Sequence, residues 1–170
     1  CFTMDNLGDA ADLGRGVITQ PRQPGERPAL DHGLPALLDL YRRFNVTTTY
    51  FVEGWSAQAY PDLITQILTE GHSLGMHGWQ HELWSTLDYE SALEVATKAT
   101  LAIEKSGARP IAFRAPGGIR TRFTSEIISN LGYTIDSSLC PSGQDGGEVC
   151  QLTKSLWSVP WEWVGVDASH

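Results

Sequence analysis

The spacing of apolar residues changes period repeatedly along this 170-residue chain. Cys1–Met4 is a short apolar run that reads as a buried strand, ended by Asp5, Asn6 and Gly8. Residues 14–29 are rich in Gly, Pro, Arg and Gln and read as a loop. Leu30, Leu34, Leu37, Leu38, Tyr41 and Phe44 then recur at helical spacing, predicting a helix over 30–44. Val46–Val52, β-branched and aromatic, predicts a strand closed by Glu53-Gly54. Pro61 opens a helix that Gly71 stops, and Ser73–Met76 is a short strand. Asp88 is an N-cap candidate for a long helix to Ser106, with Gly107 as its stop. Pro110–Phe113, Tyr133–Ile135 and Leu156–Val159 read as strands, and Thr124–Leu131 as a helix ended by Gly132.

Strand and helix alternate, the signature of a parallel sheet with crossover helices, either a barrel or a doubly wound sheet. Asp5, Glu53, His77, Arg114, Asp136 and Glu162 each fall at or just past the end of a predicted strand. In a parallel barrel those ends share the face that holds the active site. Some coincidence is automatic, because strands end where polar residues begin. The residue types still favour function, since converging carboxylates, imidazoles and a guanidinium form a hydrolytic set. About six strands are legible, whereas an eight-stranded barrel takes about 250 residues. An irregular, open barrel is expected, or one whose closing segments lie outside this chain.

Composition narrows the picture. The length fits one domain over 1–170 with its own core. Apolar content of 41% with 19% charged residues fits a soluble globular protein. A net charge of −8 argues against a nucleic-acid surface. No apolar run approaches the roughly 20 residues of a membrane span. The chain opens on Cys-Phe-Thr-Met with no leader, which reads as a processed or partial chain. The compartment therefore stays open, with cell envelope or secretion ahead of the cytoplasm. Cys1 is expected to be an inert core thiol. Cys140 and Cys150 bracket a Gly-rich loop, where a disulfide would clip the segment; two unrelated thiols are the alternative.

The densest chemistry lies in Gly71–His81. His77 and His81 are four residues apart, and His72 opens the run. Imidazole commonly ligates zinc and related divalent ions, and a short spacing lets one segment deliver two nitrogens to a single ion. A polar turn with exposed histidines is the bland alternative.

Four segments together resemble the polysaccharide deacetylases, carbohydrate esterase family 4, also called the NodB homology domain. Thr3-Met4-Asp5-Asn6 resembles that family's Thr-Phe-Asp-Asp motif. Gly71 to His81 resembles its Gly-His-x-x-Gly-x-His-(Ser/Thr)-x-x-His motif. Arg114-Ala115-Pro116-Gly117-Gly118 resembles Arg-x-Pro-x-Gly. Asp136-Ser137-Ser138 followed by Trp157–Asp167 is similar to the region of the fourth motif. The resemblance implies a distorted (β/α) barrel of the TIM-like, seven-stranded type. It also implies hydrolysis of N-acetyl groups on the amino sugars of a glycan such as peptidoglycan or chitin. It makes Asp5 the catalytic base, Arg114 its orienting partner, and His77 and His81 metal ligands. The implied cofactor is a divalent ion, zinc first, with cobalt or nickel as alternatives. The chemistry is coherent: a metal ion polarises the acetamide carbonyl and activates water, while a carboxylate takes the water's proton. A nearby arginine favours the charged form of such a carboxylate.

The chain departs from the pattern in three places. Asn6 stands where most members carry a ligating aspartate, so it is the third ligand expected, without the charge; Asp9 or Asp12 could compensate. Gly78 replaces the usual Ser/Thr, expected to be minor. The family's late Leu-x-His, source of the general acid, has no match near Ala168-Ser169-His170, so it is expected to lie beyond this chain. Trp79, Pro116, Gly117 and Trp161 are the substrate-binding candidates. Trp157, Trp163 and Trp84 could likewise serve either sugar stacking or packing. Asp136 is a candidate hydrogen-bond partner of the site, His72 a supporting or structural residue, and Glu53 and His32 surface residues. Two other readings remain: an allantoinase-like or cyclic-imide hydrolase of the same fold, and a catalytically silent glycan-binding module.

Overall fold

The structure is a computed structural model and describes residues 2–139 and 148–161. Seven strands form one sheet in the order β1-β2-β3-β4-β5-β7-β6. They are β1 (Phe2–Asp5), β2 (Thr48–Val52), β3 (Ser73–Met76), β4 (Ala112–Phe113), β5 (Ile135–Asp136), β6 (Cys150–Gln151) and β7 (Trp157–Ser158). Every pairing is parallel except that of β6 with β7. Among the described residues β1 and β6 are edges, so the sheet is not closed. This is the expected barrel-like α/β architecture, in open form.

Helices α1 (Ala10–Gly14), α2 (Leu34–Phe44), α3 (Gly54–Ala59), α4 (Pro61–Thr69), α5 (Tyr89–Lys105) and α6 (Thr124–Asn130) accompany the strands. Asp88 caps α5 as expected, accepting the Ser91 N–H at 2.8 Å. The helix predicted over 30–44 begins as a wide π-type turn, Ala29–Gly33, and becomes α-helical at Leu34. Pro35 explains the wide turn, because it has no N–H for the Asp31 carbonyl and its ring crowds that oxygen. The core is built from Leu38, Ile64, Ile67, Met76, Ile103, Phe113, Ile127, Ile128 and Leu156, all fully or nearly fully buried. Trp84 belongs to it. Its ring tilts against Phe113 with centroids 4.9 Å apart, and its indole N–H donates to Thr124 Oγ1.

Several expectations need correction. β1 is a half-buried edge strand rather than a core strand, with Phe2 63% exposed. Helix α3 starts immediately after Glu53, where a closing turn was expected. Glu53 is not a surface residue; it is wholly buried. Cys150 is an exposed free thiol on β6. Cys1, Cys140, Glu162, Trp163 and His170 lie outside the described residues. No helix is long and apolar enough to cross a membrane among the described residues.

Candidate active site

Hydrogen-bond register brings the candidate residues to one rim. Each strand's last peptides are read by the residue just past its neighbour. Asn6 and His77 donate their N–H groups to Phe51 and Val52 of β2, Arg114 to Met76 of β3, and Ser137 to Phe113 of β4. Because β1 through β5 run parallel, Asp5, Glu53, His77, Arg114 and Asp136 all emerge at the same, C-terminal edge.

Arg114 organises this rim. Its guanidinium bonds Asp5 Oδ1 at 2.6 Å, Thr3 Oγ1 at 3.0 Å, Ser137 Oγ at 2.8 Å and the Ser137 carbonyl at 2.9 Å. The group is buried, its side chain 6% exposed against 29% for Asp5. It lies on the Phe51 ring at 4.2 Å and 5.5 Å from the ring of Trp161. Phe51 in turn fills space that Gly75 leaves, since a Cβ there would come 2.5 Å from Phe51 Cδ1. Gly75, Phe51, Arg114 and Asp5 thus form one stack that aims the carboxylate. Phe51, Gly75 and Ser137 are supporting residues that sequence reasoning missed. The one available signal was a glycine inside a strand, which marks close approach of another group.

His77 follows β3 and is buried. Its Nδ1 lies 2.9 Å from the Arg114 carbonyl. A carbonyl only accepts, so Nδ1 carries the proton and Nε2 keeps a free lone pair. Burial pushes the His77 pKa down to about 4, so the ring is neutral at pH 7. The His81 ring stands edge-on to it, centroids 5.0 Å apart, and burial likewise lowers its pKa. The loop between them is clamped. Glu82 accepts the N–H groups of Trp79 and Gln80 at 2.9 Å each, and the carbonyls of Gly78 and Trp79 receive the first amides of α3. Gly78 has φ +73°, and a Cβ there would meet Glu82 Oε2 and Pro116 Cγ at 2.9 Å. Its replacement of Ser/Thr is therefore a conformational requirement here, not a minor change.

Asn6 turns the chain at φ +64° and is exposed at the rim. Asp9 and Asp12 do not compensate for its missing charge, because both are paired with Arg22. Among the described residues no three His, Cys, Asp or Glu side chains form a metal cage. The residues that would hold a divalent ion are His77, His81 and Asn6, whose neutral imidazoles and amide oxygen are donors compatible with zinc, cobalt or nickel but without charge.

Glu53 was the largest surprise. Its Oε2 accepts the Leu7 N–H at 3.1 Å, while Oε1 has no hydrogen-bond partner. Ser56 Oγ donates to the Leu7 carbonyl at 2.5 Å and lies 3.2 Å from Glu53 Oε2. The Ser56 hydroxyl is thus shared, its shorter bond to the Leu7 carbonyl and its longer one donated to Glu53 Oε2, where it favours the charged carboxylate. Burial outweighs these hydrogen bonds and, with a smaller push from Asp5, raises the Glu53 pKa to about 7.

The remaining candidates divide. Trp161 is half-buried beside Arg114 and Gly118. Gly117 is exposed at φ +74°. Pro116 is buried against Gly78 and buttresses the histidine loop. The Trp79 ring is packed beside Gly54 and beneath Lys98, whose Nζ is 3.7 Å from the ring centroid. That ring faces α3 and α5, not Asp5. Asp136 is buried, accepting Ser138 N–H and pairing with Arg120 at 3.2 Å; burial raises its pKa. His72 sits at the opposite end of β3. There its Nδ1 accepts the Thr48 N–H and its ring packs on Tyr41 and Tyr50, a structural role.

The fold and rim define a barrel-like α/β protein whose candidate site residues sit at the carboxyl ends of parallel strands. The family model for polysaccharide deacetylases matches residues 27–135, more than half of the chain. The chain belongs to the polysaccharide deacetylase family. It is 32% identical over 121 residues to the peptidoglycan-N-acetylmuramic acid deacetylase PdaC of Bacillus subtilis, covering 70% of this chain and 25% of that protein. It is 31% identical over 106 residues to chitin deacetylase 1 of Saccharomyces cerevisiae, covering 62% and 35%. The crystal structure of a Mycobacterium smegmatis protein assigned to the polysaccharide deacetylases superposes with a TM-score of 0.75 at 26% identity, covering 96% of this chain and 58% of that one. The chain thus spans about a quarter to a third of these two curated relatives. Asp5 and Asn6 precede the stretch the family model matches.

Proposed function

We propose that this chain carries the catalytic face of a metal-dependent N-deacetylase acting on an acetylated amino-sugar glycan of the peptidoglycan or chitin type. The observation that carries the reading is the Asp5–Arg114 pair held on the same strand-end rim as His77 and His81. Asp5 is the base that takes a proton from the attacking water. Arg114, fixed by four hydrogen bonds, orients that carboxylate and is itself too buried to meet bulk solvent. His77, His81 and Asn6 would hold the divalent ion, with zinc the first candidate. When bound, such an ion polarises the acetamide carbonyl and lowers the pKa of water toward ~7. The Arg114 carbonyl selects the His77 tautomer that leaves Nε2 available, the usual role of an acceptor behind a ligating imidazole. Trp161 offers a ring at the rim for the apolar face of a sugar.

The test is acetate release from chitotetraose and from acetylated peptidoglycan fragments, using the full-length protein loaded in turn with zinc, cobalt and nickel. Release that Asp5→Ala lowers by at least about a hundredfold, the scale of a lost general base, supports the proposal. Metal uptake without any release from either substrate would sink it. Glycan binding that survives Asp5→Ala in a protein without turnover would identify a silent binding module instead.

A further inference from the structure

Asn6 and the histidine loop come from strands that do not touch. In the sheet order β2 lies between β1 and β3, so the end of β2 is the strand end adjacent to both. That end is the corner Glu53-Gly54-Trp55-Ser56, and each of its four residues makes one directed contact. Glu53 Oε2 takes the Leu7 N–H, and Ser56 Oγ gives its proton to the Leu7 carbonyl. Leu7 is 4% exposed, so no solvent replaces either bond. Both backbone polar groups of Leu7, the residue that follows Asn6, are therefore fixed by side chains of the corner. On its other side the corner donates Gly54 N–H to the Gly78 carbonyl at 2.9 Å and Trp55 N–H to the Trp79 carbonyl at 3.0 Å. These are the first amides of α3, which have no partner within their own helix. The corner itself cannot drift, because a Cβ on Gly54 would already lie 2.5 Å from Ala99 Cα on α5.

We propose that the Glu53–Ser56 corner is the positioning element of the candidate metal site, its two side chains fixing the Asn6 turn and its two backbone amides fixing the His77–His81 loop. This rests on the ligand assignment made under the proposed function. The need is evident from the local backbone. Asn6 stands just past an edge strand in left-handed conformation, which an L-residue leaves readily unless its flanks are tied. A neutral amide ligand also has no charge to draw it toward a cation, so its position must come from the fold.

The experiment measures zinc affinity by competition with a chromophoric chelator in wild type, Ser56→Ala, Glu53→Ala and Glu53→Gln, with thermal melts of each. Ser56→Ala and Glu53→Ala should each weaken zinc by about tenfold or more, the cost typical of losing a group behind a ligand. Their melts should stay cooperative, and kcat on chitotetraose should fall while KM holds. Glu53→Gln keeps an acceptor for Leu7 N–H and should rescue affinity to within about threefold of wild type. Wild type that binds zinc, with folded Ser56→Ala binding equally well, overturns the inference while leaving the proposed function intact. Folded Glu53→Gln that loses zinc also overturns it, since charge rather than geometry would then be the contribution. Should Glu53→Ala not fold, Ser56→Ala and Glu53→Gln decide the matter. Wild type that takes up no metal overturns both readings together.

Discussion

Glu53→Gln should make the protein more resistant to rising pH, and the size of the effect follows from burial. The carboxyl is wholly buried, and its pKa is raised from 4.5 to about 7. The folded state then binds more protons than the unfolded state between those two values. Stability falls as pH rises wherever that holds. Below about 4.5 both states are protonated and Glu53 carries no penalty. Through the interval the penalty grows, and above about 7 it is constant. A shift of 2.5, taken from 4.5 to about 7, is worth about 3 kcal/mol at 1.36 kcal/mol per unit. Glutamine has the same shape, keeps an acceptor and does not titrate.

The assay is urea unfolding of wild type and Glu53→Gln in chelator across pH 4 to 8, so that no bound ion adds its own stabilisation. The quantity to follow is the difference in unfolding free energy, variant minus wild type. His77, whose pKa is lowered to about 4, gives the opposite slope, losing stability as pH falls through the range below 6.5. It is present in both proteins, so it cancels in the difference. The difference should climb by about 3 kcal/mol from the acid end to pH 7 and then level. A flat or falling difference would refute the claim that burial keeps Glu53 protonated well above its usual pKa of 4.5.

Three further outcomes follow from the same geometry. Gly78→Ser should cost about 1–2 kcal/mol for left-handed backbone alone, and more for the contacts with Glu82 and Pro116; equal urea midpoints for the two proteins would contradict this. Gly75→Ala should displace Phe51 from beneath the guanidinium, costing about 1–3 kcal/mol and lowering kcat more than it changes KM; an unchanged kcat would separate the stack from catalysis. Asn6→Asp should tighten zinc by at least about tenfold, because it adds a charge where an amide now stands; unaltered affinity in chelator competition would remove position 6 from the ligand set.

Much of this was legible in the sequence wherever local chemistry decides structure. Asp88 and Gly107 bracket α5, and β-branched Thr48–Val52 is the most regular strand. The rim residues were legible too, because a parallel strand ends where its side chains turn polar. What escaped depends on contacts distant in sequence. Gly54 reads as a breaker, yet it starts a helix because the carbonyls of Gly78 and Trp79 receive its first amides. Glu53 reads as a surface carboxylate, since no local pattern reveals that Leu7 and Ser56 enclose it. Trp79 sits inside the histidine motif, but its ring is claimed by α3 and α5. β6 pairs antiparallel over two residues, too short to leave a periodic signal.

Asn6 and Glu53 are best understood together. Position 6 lies between Asp5, whose charge already acts on Glu53, and Leu7, whose amide Glu53 holds. A second carboxylate there would place another negative charge beside a buried acid and drive it further toward its neutral form. An amide avoids that repulsion but forfeits attraction for the cation. The rim therefore trades charge for geometry. The proposed ligands are neutral, and the half-buried carboxylate of Asp5 is matched by Arg114. On the proposed ligand assignment, hydrogen bonds from the β2–α3 corner would supply the positioning that a charged ligand would partly obtain from the ion itself.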